Sequence, residues 1–321
     1  MTGKPVLSLG EILIDLIASD GSTSLESVSS LDVRPGGAPA NASVAFARLG
    51  ELSAFCGVVG TDSFGHRMVN ALATEGVNVT ALRQEAGANT SIAFAWKNLR
   101  GDGEFRILRM ADVLLGPADV ERAAIHNSAA IVVGSVSLTA EPSRSAVYLA
   151  VELARSAGVP VCFDANIRPS LWSDRSAMAE ICGPVLQQAD LIKLSLDDAN
   201  ALYGEHQNGS DVIDGFTSAF CKFIVVTDGA RGTWFSFRKD GAMVAPLLVP
   251  SFDVNAVDPT GAGDAFTAAL VSRLLANRWQ ALAEVDVRFA SAAGALATTK
   301  RGAMASLPTA SDVQAFLSNR F

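Results

Sequence analysis

The chain has 321 residues, 49% of them hydrophobic and 18% charged, so it can bury a sizeable core and is not of the disordered class. Its net charge of −8, with no concentrated Lys/Arg tract, argues against holding nucleic acid by bulk charge. The N-terminus has no signal-peptide layout and no apolar run reaches membrane-spanning length, so the expectation is a soluble cytoplasmic protein.

The first ten residues enter a strand-like run, and 12–33 continue it with Ser/Gly-rich turns and no helical periodicity. Pro35-Gly-Gly-Ala-Pro-Ala-Asn41 then precedes a helical segment at 42–49. Asn41 both donates and accepts, so this turn suits a hydroxyl-rich ligand, or Asn41 simply caps the helix. Segments 90–97 and 104–109 flank Arg100-Gly-Asp-Gly103, a hairpin signal. Together with 12–33 they would form a small separate sheet, or else edge hairpins on a main sheet.

From residue 131 the pattern is regular. Strands are expected at 131–135, 159–164, 190–194 and 222–227, with helices at 144–154 and 177–188 between them. Short apolar strands separated by helices imply a parallel sheet covered on both faces. Ligands bind such sheets beyond the carboxyl ends of the strands. Asp164, Asn166 and Arg168 lie there, as do the Lys193–Asp198 and Thr227–Gly232 stretches.

Cys56, Cys162, Cys182 and Cys221 form no CxxC pair and read as buried thiols, while His66, His126 and His206 form no HxxxH pair. There is no GxxxxGK[ST] and no GxGxxG opening a helix, which removes the P-loop and dinucleotide-binding readings. The strongest signal is Asp258-Pro-Thr-Gly-Ala-Gly-Asp-Ala-Phe266, followed by a helical run at 265–275. Two glycines at a helix N-terminus expose N–H groups to an anion, and Asp264 stands where a base would take a proton from an attacking hydroxyl. A plain glycine turn with an acid favouring the helix dipole is the alternative.

Gly36-Gly-Ala-Pro-Ala-Asn41 with Gly57-Val-Val-Gly-Thr-Asp-Ser-Phe-Gly65 resembles the first motif of the ribokinase-type (PfkB) carbohydrate kinases, and the 258–266 run resembles the second. Gly10-Glu11 with Asp15, the Ala38-Pro39 pair and Asp164-x-Asn-x-Arg-x-x-Leu-Trp172 are most like the fructokinases of that family. The resemblance implies a ribokinase-like three-layer α/β/α domain, with a central mostly parallel sheet, from 1–11, 35–89 and 112–321. It also implies a small β lid from 12–34 and 90–111, able to form a homodimer.

By the family pattern Asp264 is the base, and the Gly261, Ala262 and Gly263 backbone is the anion hole. Asp15, Gly36, Gly37, Asn41 and Arg168 would bind sugar, while Thr227, Gly229, Gly232, Ser291 and Ser195 would bind ATP. Asp198 stands where the family has a glutamate tied to Mg2+, and Asp228 where an apolar residue is usual. Asp258 and Thr260, with carbonyls near Thr298 and Gly302, resemble a site for a monovalent cation such as K+. The implied activity is transfer of the γ-phosphoryl of MgATP to a ketose, foremost fructose at O6. A 2-keto-3-deoxygluconate kinase using Arg106, Arg109 and Arg168, a ribokinase, or a non-catalytic sugar sensor are the alternatives.

Overall fold

The computed structural model describes residues 3–99, 103–216 and 220–319. In chain order its strands are β1 (Val6–Leu9), β2 (Leu13–Ala18), β3 (Leu31–Gly36), β4 (Ser53–Gly60), β5 (Asn78–Glu85), β6 (Ile92–Lys97), β7 (Gly103–Leu108), β8 (Ala130–Gly134), β9 (Val161–Asp164), β10 (Leu191–Ser195), β11 (Phe223–Thr227), β12 (Thr233–Lys239), β13 (Ala242–Met243) and β14 (Leu247–Val249). The helices are α1 (Ala38–Arg48), α2 (Ser63–Thr74), α3 (Pro117–Arg122), α4 (Ser143–Ala157), α5 (Arg175–Leu186), α6 (Leu196–Tyr203), α7 (Gly209–Gly215), α8 (Ala262–Ala276), α9 (Glu284–Ala297), α10 (Ala303–Ser306) and α11 (Ala310–Ser318).

The main sheet runs β13-β12-β11-β10-β9-β8-β1-β4-β5, with β14 beside β12. Every pair from β11 across to β5 is parallel. Beyond β11 the chain reverses, and β12 pairs antiparallel with β11, β13 and β14. Side chains alternate between the two faces of a strand. Leu191 and Val225 therefore join Phe46 of α1 and Leu270 of α8 on one face. Ile192 and Val226 join Val147 of α4 and Val185 of α5 on the other. This is the three-layer α/β/α architecture expected from the sequence.

Segments 13–36 and 92–108 form a second sheet of their own, ordered β3-β2-β6-β7, so they are not edge hairpins on the main sheet. Both hairpins are antiparallel, and β2 joins β6 in parallel. The expected turn between β6 and β7 falls at 100–102, outside the described residues.

Two helices start earlier than their sequence patterns indicate. Helix α1 begins at Ala38, because Gly37 (φ 102°) turns the chain and Pro39 is preset for a first helical turn. Helix α8 begins at Ala262, behind Gly261 in the left-handed region. Among the described residues no helix is long and apolar enough to cross a membrane. All four cysteines are free and buried.

Candidate active site

On the α1/α8/α9 face of the main sheet, apolar side chains give way to polar ones at the carboxyl ends of the strands. Cys162 is followed two residues later by Asp164, Leu191 by Lys193 and Ser195, and Val225 by Thr227. Parallel pairing puts these residues side by side: Lys193 opposite Asp164, and Ser195 opposite Thr227. Lys193 Nζ donates to Asp164 Oδ1 at 3.1 Å, and Thr267 of α8 donates to Asp164 Oδ2 at 2.6 Å.

A cleft of about 260 Å³ lies above this row, between the two sheets. Asp15, Gly37, Asn41, Arg168, Gly261, Gly263 and Asp264 all line it. The alternative reading of Asn41 as a helix cap does not hold, since no side chain caps α1. Because that helix starts at Ala38, Asn41 lies within its first turns, and its Nδ2 donates to Asp264 Oδ2 at 2.8 Å. Its Oδ1 is buried with no partner among the described residues. Such an orphan acceptor costs about 1–3 kcal/mol unless a ligand donor meets it.

Burial drives the Asp264 carboxyl up to about 7; the nearby Asp164 charge adds to the rise, while Asn41, Lys193 and Arg168 oppose it. Asp15 also rises to about 7, through burial against the pull of Arg168 and with the push of Asp264 and Asp258. Gly36 is needed beside it, since a Cβ there would fall 2.1 Å from Asp15 Oδ2. Arg168 donates to Ile167 O and lies 5.6 Å from the ring of Phe105 on β7, joining the main domain to the small sheet across the cleft.

At the start of α8, Ala262 N donates to Pro259 O and Ala265 N to Gly261 O. Among the described residues no backbone acceptor meets the N–H groups of Gly263 and Asp264, which lie at the positive end of the helix, where an anion is favoured. Ala262, expected in the anion hole, thus spends its N–H on the turn. Asp258 clamps that turn, its Oδ1 accepting from Thr260 N and Oγ1 and its Oδ2 from Gly302 N. Burial alone would raise the Asp258 carboxyl, but these hydrogen bonds hold it below its ordinary value, so it stays ionised.

The expected nucleotide residues lie outside the cleft, along the next strand ends. Thr227 is flanked by Ser195 and by Thr233, whose hydroxyl is 3.4 Å from that of Ser291 on α9. Gly229 and Gly232 bend the loop from β11 to β12. Asp228 is accommodated there by a two-pronged pair with Arg231 at 2.7 Å and a bond from its N–H to Gly232 O.

The sequence profile of the pfkB family carbohydrate kinases matches residues 4–310. The chain belongs to this family. It is 38% identical to fructokinase-1 of Oryza sativa subsp. japonica over 315 residues, covering 96% of each protein. Among solved structures it resembles a fructokinase from Vibrio cholerae O395 in a fructose, ADP and calcium ion bound form (32% identity, TM-score 0.82, 99% and 100% coverage). It also resembles a putative ribokinase II from E. coli in complex with ATP and Mg2+ (26% identity, TM-score 0.85, 98% and 99% coverage).

In this pfkB kinase, Asp198 is bound to backbone rather than open to the cleft. Its Oδ2 accepts from Ser195 N, closing a capping box on α6, and its Oδ1 accepts from Ile167 N at 2.6 Å. Among the described residues no group of three or more His, Cys, Asp or Glu could hold a metal. Sequence reasoning named Lys193 only within a strand-end stretch and Glu11 only within a fructokinase-like pair, neither with a role, yet both line the cleft. The face-by-face reading of β10 could have found Lys193, a cation in line with Leu191. Glu11 is buried and raised to about 7, opposed by Arg109, with Ser137 Oγ donating to it.

Proposed function

We propose that this chain is an ATP-dependent fructokinase that transfers the γ-phosphoryl group of ATP to O6 of D-fructose. The observation that carries the reading is Asp264, raised toward neutrality in the first turn of α8, beside free N–H groups and open to a cleft of hydroxyl-binding size. The fructokinase names of the relatives support the choice of sugar. In this reading Asp15, Gly36, Gly37, Asn41 and Arg168 hold the sugar hydroxyls, and the orphan Oδ1 of Asn41 accepts one of them. Asp264 takes the proton of the attacking hydroxyl as the new P–O bond forms. The bond from the γ-phosphorus to its bridging oxygen breaks, and ADP leaves. The N–H groups at the start of α8 meet the charge on the transferred oxygens.

Ser195, Thr227, Gly229, Gly232 and Ser291 form the nucleotide shelf. Magnesium bound with ATP would supply charge neutralisation of its phosphates. Asp258, kept ionised with a lone pair left on Oδ2, fits a monovalent cation beside Thr260. The small sheet acts as the lid, and a homodimer through it would cover Leu108, which is 42% exposed on β7.

The charge balance of the cleft disfavours an acidic sugar. Of Arg106, Arg109 and Arg168, only Arg168 lines it, beside Lys193 and against Glu11, Asp15 and Asp264. Arg109 instead pairs with Asp112 and donates to Val136 O and Thr139. Release of ADP, followed with fructose, ribose, 2-keto-3-deoxygluconate and adenosine, tests the reading. Fructose should give the highest kcat/KM. Turnover confined to another acceptor would refute fructose and leave the kinase, while no turnover with any would point to the sensor.

The same assay run against pH should show an acid limb in kcat/KM near pH 7, far above an ordinary carboxylate. The sign follows from the base: protonated Asp264 cannot accept a proton, so activity is lost as pH falls through its raised value. A limb near pH 4 would contradict the burial of Asp264 as its cause.

A further inference from the structure

Two loops leave the carboxyl ends of neighbouring parallel strands, one from β9 and one from β10. The first carries Asn166 and Arg168, both of which line the cleft. The second turns at Ser195 into α6. Asp198 joins them. Its Oδ1 accepts from Ile167 N at 2.6 Å and its Oδ2 from Ser195 N at 2.8 Å, while its own N–H donates to Ser195 Oγ at 3.0 Å. The residue is 6% exposed and lies outside the lining of the cleft.

A capping box uses only one of these carboxylate bonds, the one to Ser195 N. The bond to Ile167 N reaches back 31 residues into the other loop. It falls between the two cleft residues of that loop, where an anchor has most effect. Asn166 has φ 41°, in the left-handed region that few residues other than glycine adopt. Its carbonyl accepts from Ser135 Oγ at a long 3.4 Å. The charge-assisted bond from Ile167 N to Asp198 is the short one beside it.

By the family pattern this position holds a glutamate tied to magnesium. Aspartate is one methylene shorter, and here each of its oxygens already faces a backbone N–H. Turning the carboxylate toward a metal would strip the N–H groups of Ile167 and Ser195 of their acceptors.

We propose that Asp198 is a positioning residue that fixes Asn166 and Arg168 against the nucleotide shelf, and that in this chain it does so in place of a contact to magnesium. This rests on the fructokinase reading above. Arg168 belongs to the sugar side and Ser195 to the nucleotide side, so one carboxylate sets the spacing of the two substrates. No bond to Asp198 forms or breaks in the transfer. The competing accounts make it a metal contact, or only the cap of α6.

Asp198→Asn and Asp198→Glu separate the three. Asparagine keeps one acceptor oxygen in place of two, and glutamate displaces both by a methylene. Fructose affinity is measured by calorimetry with neither nucleotide nor Mg2+ present, where a metal contact has no influence. Both variants should bind fructose about 10-fold more weakly, with KM for fructose raised to match, because Arg168 is no longer held in place. The Mg2+ concentration giving half the maximal rate should stay within about 2-fold of wild type. Metal-free affinity unchanged, with that Mg2+ requirement raised, would overturn the proposal in favour of the metal contact. Affinity unchanged with only a lowered melting temperature would overturn it in favour of the cap. Should a variant fail to fold, hydrogen exchange of the wild-type chain still decides: the Ile167 and Ser195 amides should stay protected when Mg2+ and ADP are added, and loss of protection would refute the proposal. A wild-type chain that binds no fructose would instead defeat the choice of sugar, and the same comparison then runs with the acceptor it does phosphorylate.

Discussion

Asp264→Asn should lower kcat by about 10²–10⁴-fold and leave sugar affinity within a few-fold. Asparagine has nearly the same shape, and its Oδ1 can still accept from Asn41 Nδ2, now 2.8 Å away. What it lacks is the ability to take a proton. The fold should not suffer, since the variant removes a carboxylate that burial already disfavours in its charged form. The acid limb near pH 7 should vanish with the base. Steady-state rates, calorimetric sugar binding and a melting curve check the three parts. Turnover close to wild type would take the proton from Asp264 and give it to another group, with Asp15 the next acid in the cleft.

Gly261→Val should be the next most damaging change. Gly261 has φ 85°, a conformation β-branched residues very rarely adopt. A Cβ there would also stand 3.0 Å from both Cα and O of Ala303, backbone atoms of α10 that cannot swing aside. The turn must open, carrying the N–H groups of Gly263 and Asp264 out of line. Losing one such donor typically costs about 10²–10³ in kcat. A lowered melting temperature should accompany the loss, because the clash is with packed backbone. Unchanged kcat in a folded variant would mean that these N–H groups do not meet the transferred oxygens.

The main fold was legible because its strands are short apolar runs and its helices carry ordinary stop signals. Gly158, for instance, ends α4 in the left-handed region as expected. The motifs at 35–41 and 258–266 were legible for the same local reason: glycine next to a helix start has few other uses. Lys193 was harder to see. In the run Leu-Ile-Lys-Leu it looks like a strand residue with no assigned duty, and only the parallel register of β9 and β10 sets it against Asp164. Asn41 could be read as a helix cap as well as a ligand contact because the start of α1 was placed four residues late. Its true partner, Asp264, is 223 residues away in sequence, beyond any local pattern. The reversal at β12 had no counterpart in the sequence reading, which placed no strand over 233–239.

The parallel join between β2 and β6 has a consequence for how the molecule is made. Ile14 pairs with Ile92, so the first hairpin waits for the second while β4, α2 and β5 are laid down between them. A hairpin alone is marginal in water. During synthesis the main sheet can therefore begin to pair β1 with β4, and β4 with β5, before the small sheet exists. The small sheet cannot be cut out as one continuous fragment, and a chain released before residue 108 would expose β2 and β3 without their neighbour. Nascent-chain proteolysis should accordingly find 13–36 cleavable until the second hairpin has left the ribosome.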